Sequence, residues 1–286
     1  MLIEGPPSHA KRVLALSSAA GLRLVACLLA FAASTLEVRA SEPTDPLTAH
    51  LTALATTLPE HARHALDRIE STQRKLLAAR SYAKSGHQLT ERWSWTARQI
   101  SEAEQSAEYR RMLASVQTVT QQFEAQNPGF SLYANIQVRT LELQLERWNA
   151  NPRVGSVALQ LQNALARELR VRAYPSRPSE ESSERFKAFL TNWYPSTPAP
   201  LAAPGLSAHG QLRAIDFQIT NAGRIVAGTS VASVAQAWEK PGWHNKLRRA
   251  IEVAGSDFVG PLPAPNEPWH YTYVWNTQVA RSSSAP

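Results

Sequence analysis

Asn127-Pro128-Gly129 divides the chain more sharply than any other feature. Proline has no backbone N–H and pushes the residue before it out of the helical region. Glycine tolerates the turn that follows. Upstream, from about Pro43, apolar residues recur at helical steps of three and four. "PEHARHALDRIESTQRKLLAARSYAKSG" opens with Pro59 in a first turn and stops near Gly86, with Ala62, Ala65, Leu66, Ile69, Leu76 and Leu77 along one stripe. "TERWSWTARQISEAEQSAEYRRMLASVQTVTQQFEAQNPG" reads as one longer helix carrying Trp93, Ile100, Ala107, Met112, Val116, Val119 and Phe123. Two such helices joined at "KSGHQ" predict an antiparallel helical hairpin region over 41–128, each stripe buried on the other and on the next domain.

Downstream of the division the texture is mixed. "FSLYANIQVRT" is strand-like, "LELQLERWN" and "GSVALQLQNALARELRVRA" are helical, and "ERFKAFLTNWY" is a short helix. "AIDFQITNAGRIVAGTSV" predicts a β-hairpin turning at Asn221-Ala222-Gly223. "GWHNKLRRAIEVAG" is a helix closed by Gly255, and "NEPWHYTYVW" ends in an aromatic strand. No βαβ rhythm is present, so the expected class is α+β, a small antiparallel sheet with flanking helices over 129–276 and a frayed tail over 277–286.

The first 40 residues carry Lys11, Arg12 and Arg23, then the apolar run "LVACLLAFAASTL", then small residues before Ser41. That order is expected of a secretory signal peptide, and hence of a periplasmic or secreted protein. Cys27, the one cysteine, lies inside it, so the mature chain would have no disulfide and no thiol nucleophile. Membrane attachment would require an uncleaved signal or a lipidated Cys27. The formal net charge of +7 favours anionic surroundings. The basic residues are dispersed, so no nucleic-acid partner is expected.

Two short stretches carry chemistry. "SAHGQLRAIDF" holds His209 and Asp216, and "NEPWHYTY" holds Glu267 and His270. A hydrolytic zinc takes three N or O ligands and keeps an open position. His209, Asp216 and His270 would supply two imidazoles and a carboxylate from a loop and two strands. Glu267 is the candidate for taking the proton of the attacking water and passing it to the leaving amine. Taken singly, each of these residues is a weak signal, because a His with a downstream Asp is more often structural or on the surface.

With their neighbours, the residues resemble the zinc D-alanyl-D-alanine carboxypeptidase and dipeptidase family, the VanX/VanY-like peptidoglycan metallopeptidases. Ser207, His209, Ala214 and Asp216 match its S-x-H-x-x-G-x-A-x-D pattern, and Glu267, Trp269 and His270 match its E-x-W-H. The resemblance covers about Phe130 to Trp275. It implies that His209, Asp216 and His270 bind Zn2+, that Glu267 is the catalytic base and that Ser207 holds substrate or a ligand. "VRTLELQ" resembles a further family segment, which implies that Arg139 polarises the scissile carbonyl and that Gln144 contacts substrate. The pattern's glycine falls at Leu212, where a side chain is expected to narrow the cleft or shift the loop.

The expectation is an exported zinc peptidase hydrolysing peptidoglycan peptides next to D-amino acids, as a carboxypeptidase or an endopeptidase. The alternative is a catalytically inactive wall-binding scaffold on the same fold, with a protein partner on the N-terminal helices. His50, His61 and His64 are expected to be solvated, and the aromatic set around Trp238, Trp243 and Trp269 to be core.

Overall fold

The computed structural model describes residues 45–255, 257–263 and 266–275, which belong to one compact unit. The expected signal segment, Cys27 and the tail from 277 lie outside the described residues. In chain order the elements are α1 (Pro46–Thr56), α2 (Glu60–Asp67), α3 (Thr72–Ser85), α4 (Ala97–Glu104), α5 (Ala107–Gln126), β1 (Phe130–Asn135), α6 (Leu141–Ala150), α7 (Pro152–Val171), α8 (Glu180–Asn192), β2 (Ala214–Asn221), β3 (Arg224–Ala227), α9 (Trp243–Ala254), β4 (Phe258–Val259) and β5 (His270–Tyr273). The strands form one antiparallel sheet in the order β1-β2-β5-β4, with β3 also pairing β2. The α+β expectation therefore holds. No helix among the described residues is long and apolar enough to cross a membrane.

Local chemistry explains most boundaries. The hydroxyls of Ser71, Ser106 and Thr140 accept from the backbone N–H three residues on, which caps α3, α5 and α6. Thr96 and Gln99 form a reciprocal capping box at the start of α4. Ala222 and Gly223 both take positive φ, 48° and 75°, and close the β2–β3 hairpin as anticipated.

Two helical expectations need correction. The segment from Pro59 to Gly86 is two helices, because Ser71 caps a new start after α2 ends. The segment from Thr90 to Gln126 is also broken. Trp93, Ser94 and Trp95 lie outside any helix, and Ser106 restarts the chain after α4.

The two long helices do not bury their stripes on each other as a hairpin. Leu76, Leu77, Ala79 and Tyr82 of α3 join a core built with α1, α2, α6, α7 and α8. Met112, Val116, Val119 and Phe123 of α5 join a second core with the sheet and α9. Each stripe is buried in a different core. The apolar faces of α1 to α3 are thus used inside the protein. Trp238, Trp243, Trp269, Tyr271 and Tyr273 are buried in the second core, as expected.

His50 is not solvated. It is buried, with Nδ1 2.7 Å from Pro46 O and Nε2 2.9 Å from Ser182 Oγ, so it ties α1 to α8. His61 packs its ring on Trp93 at 4.5 Å between centroids, and burial lowers its pKa. Of the three, His64 is exposed as expected.

Candidate metal centre

β2 and β5 are antiparallel, and Asp216 pairs directly with His270 across them. Directly opposed residues place their side chains on one face of the sheet. The His270 imidazole Nδ1 lies 2.9 Å from Asp216 Oδ1. His209 arrives from a 3-10 turn, Ala208–Gln211, and Leu212 then adopts the left-handed conformation (φ 55°, ψ 24°) that turns the chain into β2. That conformation is the physical reason a glycine suits this position in the pattern. Here the leucine adopts it, and its side chain is buried.

The turn is braced from a distant part of the sequence. Gln211 Nε2 donates to Glu91 O (2.7 Å) and Trp93 O (2.9 Å), and Trp95 N–H donates to Gly210 O (2.8 Å). Arg139 N–H donates to His209 O (3.2 Å). Gly210 has no room for a side chain, because a Cβ there would meet Ser94 and come within 2.9 Å of Gln144 Nε2.

His209 Nε2 is 3.2 Å from Asp216 Oδ2, and the two imidazole centroids are 5.2 Å apart. One ligand atom from each of His209, Asp216 and His270 lies within 4.8 Å of the others. His209 is only 2% exposed, yet neither ring nitrogen makes a hydrogen bond of acceptable geometry. Buried polar atoms are rarely left so. Burial lowers the His209 pKa, against the pull of Asp216, and so favours the neutral imidazole that binds metals. Burial by itself would raise the Asp216 carboxyl. Contacts with His209 and His270 and the charge of Arg139 outweigh it and hold the group well below the usual carboxylate range. Two imidazoles and an ionised carboxylate can hold a metal ion, and a His209 ring nitrogen without a hydrogen bond fits one.

Glu267 sits in a tight turn. Its N–H donates to Leu262 O (3.0 Å), and its carbonyl accepts from His270 N–H (3.0 Å). The carboxylate is 3.9 Å from His270 Nδ1. Burial raises its pKa and Asp216 adds to this, while His270 and Arg139 oppose. Gly260 lets the preceding segment approach β5, since a Cβ there would fall within 2.8 Å of His270 O.

His209 and His270 line a cavity of about 380 Å³. Arg139, Ser207, Glu267 and His270 line it, and Ala199 to Ala202 of the proline-rich segment form a wall. Six of the seven residues singled out in the sequence line the cavity, and the seventh, Asp216, contacts His209, His270 and Arg139, but two have more specific roles than expected. Arg139 donates from Nη2 to Asp216 Oδ2 at 2.6 Å, so it grips the carboxylate of the candidate ligand. Gln144 is committed to the scaffold. Its Nε2 donates to Arg139 O (2.6 Å) and Ser94 Oγ (2.8 Å), and its Oε1 accepts from Gly205 N–H (2.9 Å).

Sequence reasoning missed Arg147, which lines the same cavity. The available signal was its spacing, one turn after Gln144 on a predicted helix. It also missed the brace from residues 91–95, for which no local signal exists. No family model, curated protein or solved structure matches the chain.

Proposed function

We propose that this protein is an exported zinc-dependent peptidase that hydrolyses peptidoglycan peptide bonds next to D-amino acids. The observation that carries this reading is Glu267, half-buried beside His270 on the wall of the cavity that His209 and His270 also line. A metal-binding group without a nearby base would suit a purely structural ion. A half-buried carboxylate beside the candidate ligands on the cavity wall suits hydrolysis. Zinc is the metal proposed because His-Asp-His ligation with a vacant coordination position is typical of its catalytic sites. Export rests on the charged, apolar, small-residue order of residues 1–40.

When bound, zinc supplies Lewis acidity and activates water. His209, Asp216 and His270 hold it, and Arg139 fixes the orientation of the Asp216 carboxylate. Glu267 takes a proton from the attacking water at its carboxylate and delivers it to the leaving amine nitrogen. Only Nη2 of Arg139 bonds to Asp216, so the rest of the guanidinium is available to the negative charge that develops on the carbonyl oxygen. Ser207 lines the cavity near His209, and its hydroxyl would orient a peptide.

The test is metal content measured together with hydrolysis, on the chain from Ser41. The substrates are a peptidoglycan pentapeptide ending in D-Ala-D-Ala and a cross-linked muropeptide. One equivalent of zinc and release of a D-amino acid or a cross-bridge fragment is the expected result. Zinc without turnover on either substrate would overturn the peptidase and favour the scaffold reading.

A further inference from the structure

α6 carries two cavity residues one helical turn apart. Gln144, on the inner turn, is buried and committed to Arg139, Ser94 and Gly205. Arg147, on the next turn, is exposed and lines the same cavity as Glu267 and His209. Residues three apart on a helix share a face, so both side chains look toward one space.

The two cavity arginines differ in their partners. Arg139 is held by Asp216 at 2.6 Å. Arg147 has no carboxylate partner among the described residues. It lies close enough to Arg139 for the two charges to disfavour one another. An exposed helical arginine is usually just solvated. A second, unpartnered guanidinium on the wall of a metal-binding cavity, beside a first one, is a different situation. With a divalent ion in place, the positive charge there exceeds that of Asp216 and Glu267, so an anionic ligand is favoured.

We infer that Arg147 is a specificity-determining residue that anchors a carboxylate of the substrate. The inference rests on the peptidase reading only for the identity of that substrate. A planar guanidinium matches a carboxylate through two parallel N–H donors. The carboxylate has two possible sources in one peptide: the free C-terminus, or an acidic side chain within the chain. The first places the scissile bond near the peptide end, and the second allows internal cleavage.

The experiment measures peptide binding by calorimetry to zinc-loaded Glu267→Gln protein, in which turnover is suppressed. The probes are an acetylated Lys-D-Ala-D-Ala peptide with a free C-terminus, the same peptide as its C-terminal amide, and an amidated peptide with an internal glutamate. Adding Arg147→Ala is expected to weaken the carboxylate-bearing ligand about tenfold to a hundredfold. Arg147→Lys is expected to recover part of the loss, because it keeps the charge but not the paired donors. Zinc stoichiometry should be the same in all three proteins. Arg147 dependence confined to the free C-terminus assigns the anchor to the terminal carboxylate. Dependence confined to the internal glutamate assigns it to the side chain. Equal affinities with and without Arg147, or no binding of any probe, would overturn the inference. A protein that binds through Arg147 but hydrolyses nothing when Glu267 is intact refutes the peptidase and leaves the anchor. Turnover indifferent to Arg147 does the reverse.

Discussion

Asp216 and His270 face each other directly across an antiparallel strand pair, Oδ1 to Nδ1 at 2.9 Å, while Arg139 holds Oδ2 of the same carboxylate at 2.6 Å. Both carboxylate oxygens are therefore engaged by the protein itself. Two of the three candidate ligands are fixed by sheet register, and only His209 depends on a loop.

Replacing Asp216 should cost both metal and stability. Asp216→Asn leaves the half-buried Arg139 without its counter-charge, a loss of about 2–4 kcal/mol in metal-free protein. Because the Asp216 pKa is depressed by folding, its contribution is complete above the unfolded value of about 3.9 and disappears as pH falls through the lower folded value. Urea titrations of both proteins should show a constant gap at neutral pH that closes only in acid. A gap that closes between pH 6 and 8 would assign the effect to another group.

Glu267→Gln should keep one equivalent of zinc and lower kcat by about a thousandfold, as loss of a general base does. In metal-free protein, burial raises the Glu267 pKa above the ordinary glutamate value of about 4.3. The same raised pKa makes ionised Glu267 mildly destabilising, an effect that grows as pH rises from the unfolded to the folded value. Full activity in the glutamine variant would remove Glu267 from the mechanism.

Gln144→Ala tests scaffold against substrate contact. It leaves the Gly205 N–H without its acceptor in a buried place, and stability should fall by about 2–3 kcal/mol. A direct substrate contact would instead raise KM with the unfolding midpoint unchanged.

Leu212→Gly sets two effects against each other. Relief of the left-handed backbone returns about 1 kcal/mol, and loss of the buried side chain removes about 3–4 kcal/mol. A net destabilisation of about 2–3 kcal/mol by thermal or urea unfolding is expected. A more stable glycine variant would mean that the leucine side chain contributes little to packing.

The sequence by itself determined the order of the longer elements after Gly129 (though not the short β4), the hairpin at Ala222-Gly223 and the candidate ligand residues. Those are local: alternation, helical period, turn chemistry and ligand spacing are properties of contiguous residues. Only the tertiary structure decided the rest. Nothing near Arg139 indicates that its guanidinium grips Asp216, 77 residues away. Nothing near Gln211 points to the backbone of Glu91 and Trp93. The helical stripes of α3 and α5 were legible, but not that each would join a different core, because an apolar face is non-directional and takes whichever partner buries most of it. His50 looked like a surface residue because its partner, Ser182, is 132 positions further on. Spacing names the groups that could meet, while packing decides which buried polar atoms, like those of Gln144, have hydrogen-bond partners and which, like the two nitrogens of His209, do not.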